Sequence, residues 1–251
     1  MPVIYQKRVG RTRYEIRTHG KTVRLYTNNV MHTQYHPGRR VSGGVWDLLV
    51  LPALALPKVE RVLLLGLGGG AVVHLLREWC PGAHITALEL NPVHISLARR
   101  FFDIKGRDLT LVQGDARAYV ENYHGEPFDL VIEDVFQDSE GTPDRAFVAD
   151  RRWCNALRRL VSKRGALVMN TLSLAQLRGT ALIQQDAVHK QWGSHLSLTM
   201  PAYANVVGAF YRQAVSPVDL RKMIRSDDKR LQQERSKHLR YKIADWTRSI
   251  P

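Results

Sequence analysis

Only two cysteines occur in the 251 residues, Cys80 and Cys154, and neither falls in a CxxC or Cys/His cluster. A disulfide framework and a zinc site are thereby excluded, and buried free thiols are the plain reading. Long apolar runs are missing as well: no stretch approaches the length of a membrane span, and the N-terminus, "MPVIYQKRVGRTRYEIR", is charged from the start and has no apolar h-region. The chain is therefore expected to be soluble, unexported and cytoplasmic, with no membrane partner. Acidic residues are scarce, 23 Asp and Glu against 37 Lys and Arg, which leaves a net charge of +14. Such a field repels polycations and attracts anionic partners, nucleic acid among them. There is no internal repeat, no low-complexity segment and no metal-ligating constellation, so no metal is expected.

What is present suits an α/β protein, with 44% apolar residues to build a core. Before residue 45 the pattern is short and alternating. In "RYEIRTHGKTVRLYTNN", Tyr14 and Ile16, then Val23 and Leu25, point one way on either side of a His19-Gly20 turn, so residues 1–44 read as a small antiparallel β-hairpin appendage. Val45 to Leu56 has the apolar density of a buried helix ended by Pro57. Strand-like and helical runs then alternate: "HITALEL" with "PVHISLARRFF", "LTLVQG" with "DARAYVENY", "FDLVIEDV" with a polar loop and "AFVADRRWCNALRRLV", "GALVMNTL" with "AQLRGTALIQQDAVHKQW". Repeated β-α units predict a doubly wound, mostly parallel sheet over residues 45–215, with helices on both faces. "HLSLTMPAY" and "VVGAFYRQA" have no helix between them and are expected to pair antiparallel at one edge. Residues 216–251 read as a basic, helix-prone tail, docked or loosely held.

The stretch "RVLLLGLGGGAVVHLL" is a buried strand, a glycine turn and a helix in quick succession. Gly66, Gly68 and Gly70 let backbone approach a ligand closely, and the helix that follows offers its N-terminal N–H groups to an anionic group; close strand–helix packing is the bland alternative. In an open α/β sheet ligands bind beyond the carboxyl ends of the strands, and the residues found there are acidic. Glu89 ends the second strand at the spacing from Gly66 suited to ribose hydroxyls, Asp115 follows the third in "QGDAR", and Asp134 follows the fourth in "VIEDVF" with Glu133 facing the opposite side. Asp115 is also a good N-cap for "ARAYVENY". A nicotinamide site has no need of an acid after both later strands.

These residues resemble the spermidine synthase branch of the class I S-adenosylmethionine-dependent transferases, whose run is a Gly-rich turn, "E-L-D-P", "G-D-A", an Asp after strand four and a late "P-T-Y-P-S-G". The counterparts here are "GLGGGAVVHLL", "LELNP", "GDARAYV", "FDLVIEDVF" and "MPAYANVVGAF", so the resemblance covers roughly residues 20–213. It implies a Rossmann-like class I methyltransferase fold with an antiparallel last strand. It also implies S-adenosylmethionine or its decarboxylated form as cofactor, and a homodimer. Gly66, Gly68 and Gly70 would contact the methionine part, Glu89 the ribose, and Asp115 with Ala116 the adenine. Asp134 would accept the proton of an attacking amine, with Tyr203, Phe136 and Asp138 around the acceptor.

The chain departs from that family at the acceptor. "DVFQDSEGTP" stands where the synthases carry "D-S-S-D-P", so Asp138 comes one residue late; "GGVWDLL" around Trp46 and Asp47 replaces "Y-H-E"; His32 stands for a glutamine; Ala204 and Asn205 replace a proline and a serine. A diamine needs several carboxylates for its separated charges, because a desolvated cation without a partner is costly. The expectation is therefore a methyltransferase acting on an amine or macromolecular, anionic acceptor. An aminopropyltransferase with an atypical pocket and a non-catalytic cofactor-binding module are the alternatives. The histidines His74, His94 and His189 are read as surface or satisfied core residues, while His32, His36 and Trp46 are placed nearer the donor mouth.

Overall fold

The structure, a computed structural model, describes residues 1–139, 142–226 and 238–246, with the side chains of residues 138, 139, 142 and 143 outside that description. Strands β1 (Val3–Val9), β2 (Thr12–His19), β3 (Thr22–Thr27) and β4 (Val30–Tyr35) form an antiparallel sheet in that order. β2 and β3 are the expected hairpin: Ile16 sits opposite Leu25, and both are fully buried. The hairpin reading is corrected in extent, since β1 and β4 flank it. β1 buries almost nothing, so its sequence carries no periodicity to read.

Helix α1 (Val45–Val50) is buried along its whole length and tightens into a 3₁₀ turn over Leu51–Ala55, where Pro52 has no N–H to continue an α-helix. The β-α alternation then follows: β5 (Arg61–Leu65), α2 (Ala71–Trp79), β6 (His84–Glu89), α3 (Pro92–Phe101), β7 (Leu109–Gln113), α4 (Ala116–Asn122) and β8 (Phe128–Glu133). Three expectations need correction beyond this point. The loop after β8 is a hairpin, β9 (Phe136–Ser139) with β10 (Thr142–Arg145). Helix α5 (Arg151–Leu160) starts later than its apolar pattern, because Asp150 accepts the Trp153 N–H at 2.8 Å and caps it. After β11 (Val161–Thr171), the run read as one helix is three short ones, α6 (Leu174–Arg178), α7 (Ala181–Gln184) and α8 (Asp186–His189), interrupted at Gly179–Thr180 and Gln185.

β12 (Ser194–Thr199), β13 (Val206–Tyr211), helix α9 (Pro217–Ser226) and β14 (Lys242–Asp245) complete the chain. The main sheet has the order β14-β12-β13-β11-β8-β5-β6-β7. β7, β6, β5, β8 and β11 are mutually parallel, and β13 runs antiparallel between β11 and β12. The last two strands thus pair as expected but do not form the edge, which belongs to β14 from the tail. The tail is therefore a helix and an edge strand over its described part. Its remaining residues, 227–237 and 247–251, lie outside the described residues. Alternation along β5 shows the layering: Val62 and Leu64 enter the core beneath the N-terminal sheet, α1 and α2, while Leu63 and Leu65 enter the core around α5.

Candidate active site

The carboxyl ends of β5, β6, β7, β8 and β11 open into a cleft of about 610 Å³, walled on one side by Tyr14, Met31 and His32 of the N-terminal sheet. The glycine turn at its floor has positive φ at Gly66 (93°), Gly68 (55°) and Gly70 (91°), a region L-residues avoid. Its five amides are all engaged within the chain. Gly66 donates to Leu88 O (3.1 Å) and Gly70 to Leu67 O (2.9 Å). Leu67 and Gly68 donate to Glu89 Oε2 at 3.2 and 2.9 Å, and Gly69 donates to Thr33 Oγ1 at 2.6 Å. A turn without spare donors is not a phosphate cradle. Gly66 and Gly68 line the cleft, while Gly70 is outside the lining and makes room for Ile104, whose Cδ1 would lie 2.3 Å from an added Cβ.

Glu89 is fixed by those two amides and by Asn91 N–H on Oε1 (2.9 Å), with His94 Nδ1 3.6 Å away. Burial raises its pKa, but the His94 contact and the amides outweigh it, so the carboxyl titrates below its ordinary range and keeps its charge. Asp115 caps α4 by accepting the Ala118 N–H at 2.8 Å, and both it and Ala116 line the cleft, so capping and lining are compatible. His94 is held by Thr27 Oγ1 at 2.8 Å, and its ring centroid lies 4.9 Å from that of His32.

At the other end, Asp134 Oδ1 accepts from Asn170 Nδ2 at 2.7 Å, and Asn170 Oδ1 accepts from Asn205 Nδ2 at 3.0 Å. Burial pushes Asp134 up to about 6, helped by the charges of Glu133 and Glu89 and opposed by the Asn170 amide. Glu133 points to the opposite face as its strand parity requires. It is fully buried, bonded to Arg145 Nη2 at 2.6 Å and to Trp153 Nε1 at 3.3 Å, while Arg145 Nη1 reaches Asn170 O. Phe136, Tyr203 and Trp46 form aromatic walls here; Asp138 lies on β9 and its side chain falls outside the described residues. Asn170 and Asn205 were missed in the sequence, although Asn170 obeys the same rule as the acids, a polar residue at the carboxyl end of the next strand.

Asp47 is not part of the cleft lining. It is fully buried and accepts the Ser42 and Gly43 N–H groups, one on each carboxylate oxygen, both at 2.8 Å. Burial raises it to about 6 against those same amides. Asp47→Asn turns an NH₂ toward one of them, leaving a buried donor unmatched, and is expected to lower stability by about 2 kcal/mol in urea unfolding. His36 and His74 also sit outside the cleft lining, the latter bonded to Phe102 O at 2.6 Å and stacked on Tyr35; His189 is buried and bonded to Leu182 O at 3.1 Å.

Three carboxylates, Glu89, Asp115 and Asp134, line the cleft, and no Lys or Arg does so among the described residues, in a protein of charge +14. The described cleft lining is acidic inside a cationic protein. No group of three His, Cys, Asp or Glu that could hold a metal occurs among the described residues, and no described helix is long and apolar enough to cross a membrane.

The strand order and the cleft above its carboxyl ends define a Rossmann-like, class I methyltransferase-type fold. The family model described as "Methyltransferase domain" matches residues 62–158. The chain superposes on a probable spermidine synthase from Corynebacterium glutamicum with a TM-score of 0.74 and 16% identity, over 99% of this chain and 93% of that one. A polyamine aminopropyltransferase of Vibrio vulnificus is 36% identical over 124 residues, 48% of this chain and 40% of that protein. An eEF1A lysine and N-terminal methyltransferase of Danio rerio is 32% identical over 139 residues, 51% of this chain and 19% of that protein. The chain thus spans less than half the length of each of these two curated relatives.

Proposed function

We propose that the cleft binds S-adenosylmethionine and that the protein transfers its methyl group to an amine. The observation that carries this is the distribution of acid: Glu89 and Asp115 stand where a ribose and an adenine are bound in the resembling family, and among the described side chains Asp134 is the one carboxylate at the aromatic acceptor end. One carboxylate serves a single nitrogen, whereas a diamine's far ammonium finds no second carboxylate among the described side chains there. The residues fit the cofactor: a sulfonium is cationic and the cleft is acidic. When bound, S-adenosylmethionine supplies an activated methyl group. The chain orients it with Glu89, walls the acceptor with Trp46, Phe136 and Tyr203, and takes the amine's proton on Asp134. The methyltransferase-domain match and the methyltransferase relative support this reading.

Aminopropyl transfer is favoured by a different observation. The turn amides are all engaged and no Lys or Arg lines the cleft among the described residues, so a donor's carboxylate finds no Lys or Arg partner in that lining, and the decarboxylated donor lacks that group. Calorimetric titration with S-adenosylmethionine, its decarboxylated analogue and methylthioadenosine decides between them. Tighter binding of S-adenosylmethionine than of the analogue is expected; the reverse order overturns methyl transfer, and no binding of any of the three overturns both.

A further inference from the structure

Three partly buried arginines elsewhere have carboxylate partners: Arg145 with Glu133, Arg77 with Asp108, Arg17 with Glu15. Arg158 and Arg212 do not. They flank the amino end of β11, the end of the sheet opposite the cleft. Val161 donates its N–H to Arg158 O, and Arg212 N–H bonds Gly165 O at 3.0 Å. Neither makes an ion pair or a side-chain hydrogen bond among the described residues. The Nε of Arg158 is buried without an acceptor, and so is the indole Nε1 of Trp192, over whose ring the Arg212 guanidinium sits at 5.9 Å. Burial lowers the Arg212 pKa, and the Arg158 charge lowers it further.

Two partly buried cations that repel each other, beside an unmatched indole donor, are a cost that no carboxylate offsets among the described residues. Both guanidinium groups only donate, so the group that completes them is an acceptor of negative charge. The surroundings extend the field: residues 151–164 hold Arg151, Arg152, Arg158, Arg159, Lys163 and Arg164 and no acid, and Lys163 and Arg164 are exposed. A lone phosphate occupies only the guanidinium pair. A chain of phosphates also uses the exposed cations beside it.

We propose that this end of the molecule is a phosphate-binding site built on Arg158 and Arg212 that docks a single-stranded nucleic acid. The guanidinium pair clamps one phosphate and Lys163 with Arg164 meets the next, through the backbone and without base readout. The site goes beyond the proposed transfer reaction and does not depend on it.

The test is fluorescence anisotropy of a labelled 20-nucleotide oligouridylate over a salt series, with the wild type and an Arg158→Gln, Arg212→Gln double variant. The variant is expected to bind at least about tenfold more weakly, with a log–log salt slope shallower by about 1.4 for two single-strand contacts. Its S-adenosylmethionine titration should be unchanged and its Tm should not fall, since it relieves a repulsion. Unchanged oligouridylate affinity overturns the site, and so does a Tm loss, which marks the pair as structural. Should the Gln variant not fold, Arg158→Lys with Arg212→Lys replaces it: several-fold weaker binding despite the retained charge supports the clamp, and equal binding overturns it. Saturable binding of inorganic phosphate with no binding of the oligonucleotide overturns the nucleic-acid assignment.

Discussion

Asp134→Asn is expected to abolish transfer to a simple primary amine such as n-butylamine, by a factor on the order of 10³, while leaving the cofactor's Kd within a few-fold of wild type. The substitution is nearly isosteric, and Asn170 Nδ2 can donate to an amide oxygen as it does to Asp134 Oδ1. It removes only the capacity to take a proton. The pH signature follows from the pKa of about 6. The wild-type rate should fall tenfold per pH unit below that value, as the base becomes protonated. Stability moves in the opposite sense. A carboxyl whose folded pKa is raised holds its proton more tightly when folded, so it contributes stability at low pH that is lost as pH rises through about 6. The Asn variant lacks that loss. Its Tm should exceed the wild type's at pH 7.5, by an amount worth roughly 2 kcal/mol, with the difference disappearing near pH 4. A variant that is active, or that is no more stable than wild type at pH 7.5, removes Asp134 from the role given to it. Asp47, with the same pKa of about 6, should respond oppositely to the same substitution because both its oxygens already accept backbone N–H groups.

Gly66→Ala is expected to be the most damaging change in the glycine turn. An added Cβ would lie 2.1 Å from the backbone oxygen of Asp134, and the residue's φ of 93° is hostile to any side chain. Backbone cannot swing aside as a flexible side chain can. Overpacking and the left-handed conformation together cost about 4 kcal/mol, a large share of a domain's stability, and should lower Tm by about 10 °C in calorimetry. Whatever folds should bind cofactor poorly, because the strain is relieved by moving the end of β8 that carries Asp134. Gly114→Ala is the control: nothing lies within 4 Å of its added Cβ, so Tm should stay close to wild type. A Gly66→Ala protein as stable as that control would show that β5 and β8 can separate at their ends without penalty.

The parts of this fold that were legible in the sequence are those where burial writes a pattern. β5 is covered on both faces and shows as an apolar run from Val62 to Leu65; β8 does the same over Leu130 to Ile132 and β6 over Ala87 and Leu88, and the acids at their ends are conspicuous because they end such runs. β1 and β14 escaped notice because they bury little: β14 has one buried residue, Ile243, opposite Leu198. The β9–β10 hairpin was hidden by polar composition, since its pairing is between backbones. At the site, charge was legible and carboxamide was not. Glu89, Asp115 and Asp134 announce themselves in a basic chain, whereas Asn170 and Asn205 acquire meaning only when β11 and β13 bring them into line with Asp134. The turn glycines showed the reverse limit, for the sequence reveals the conformational freedom but not that Thr33 and Glu89 already occupy the amides it exposes.

β14 seals the sheet on the side away from β7. Without it, β12, whose residues Ser194 to Leu198 are all buried, would present an open row of N–H and C=O groups flanked by apolar side chains, the arrangement that recruits a foreign strand. The strand that covers it carries Lys242 and Asp245, both exposed, toward the outside. Four residues, Lys242 to Asp245, thus turn that open row of backbone groups into a paired one and present charge at the new edge.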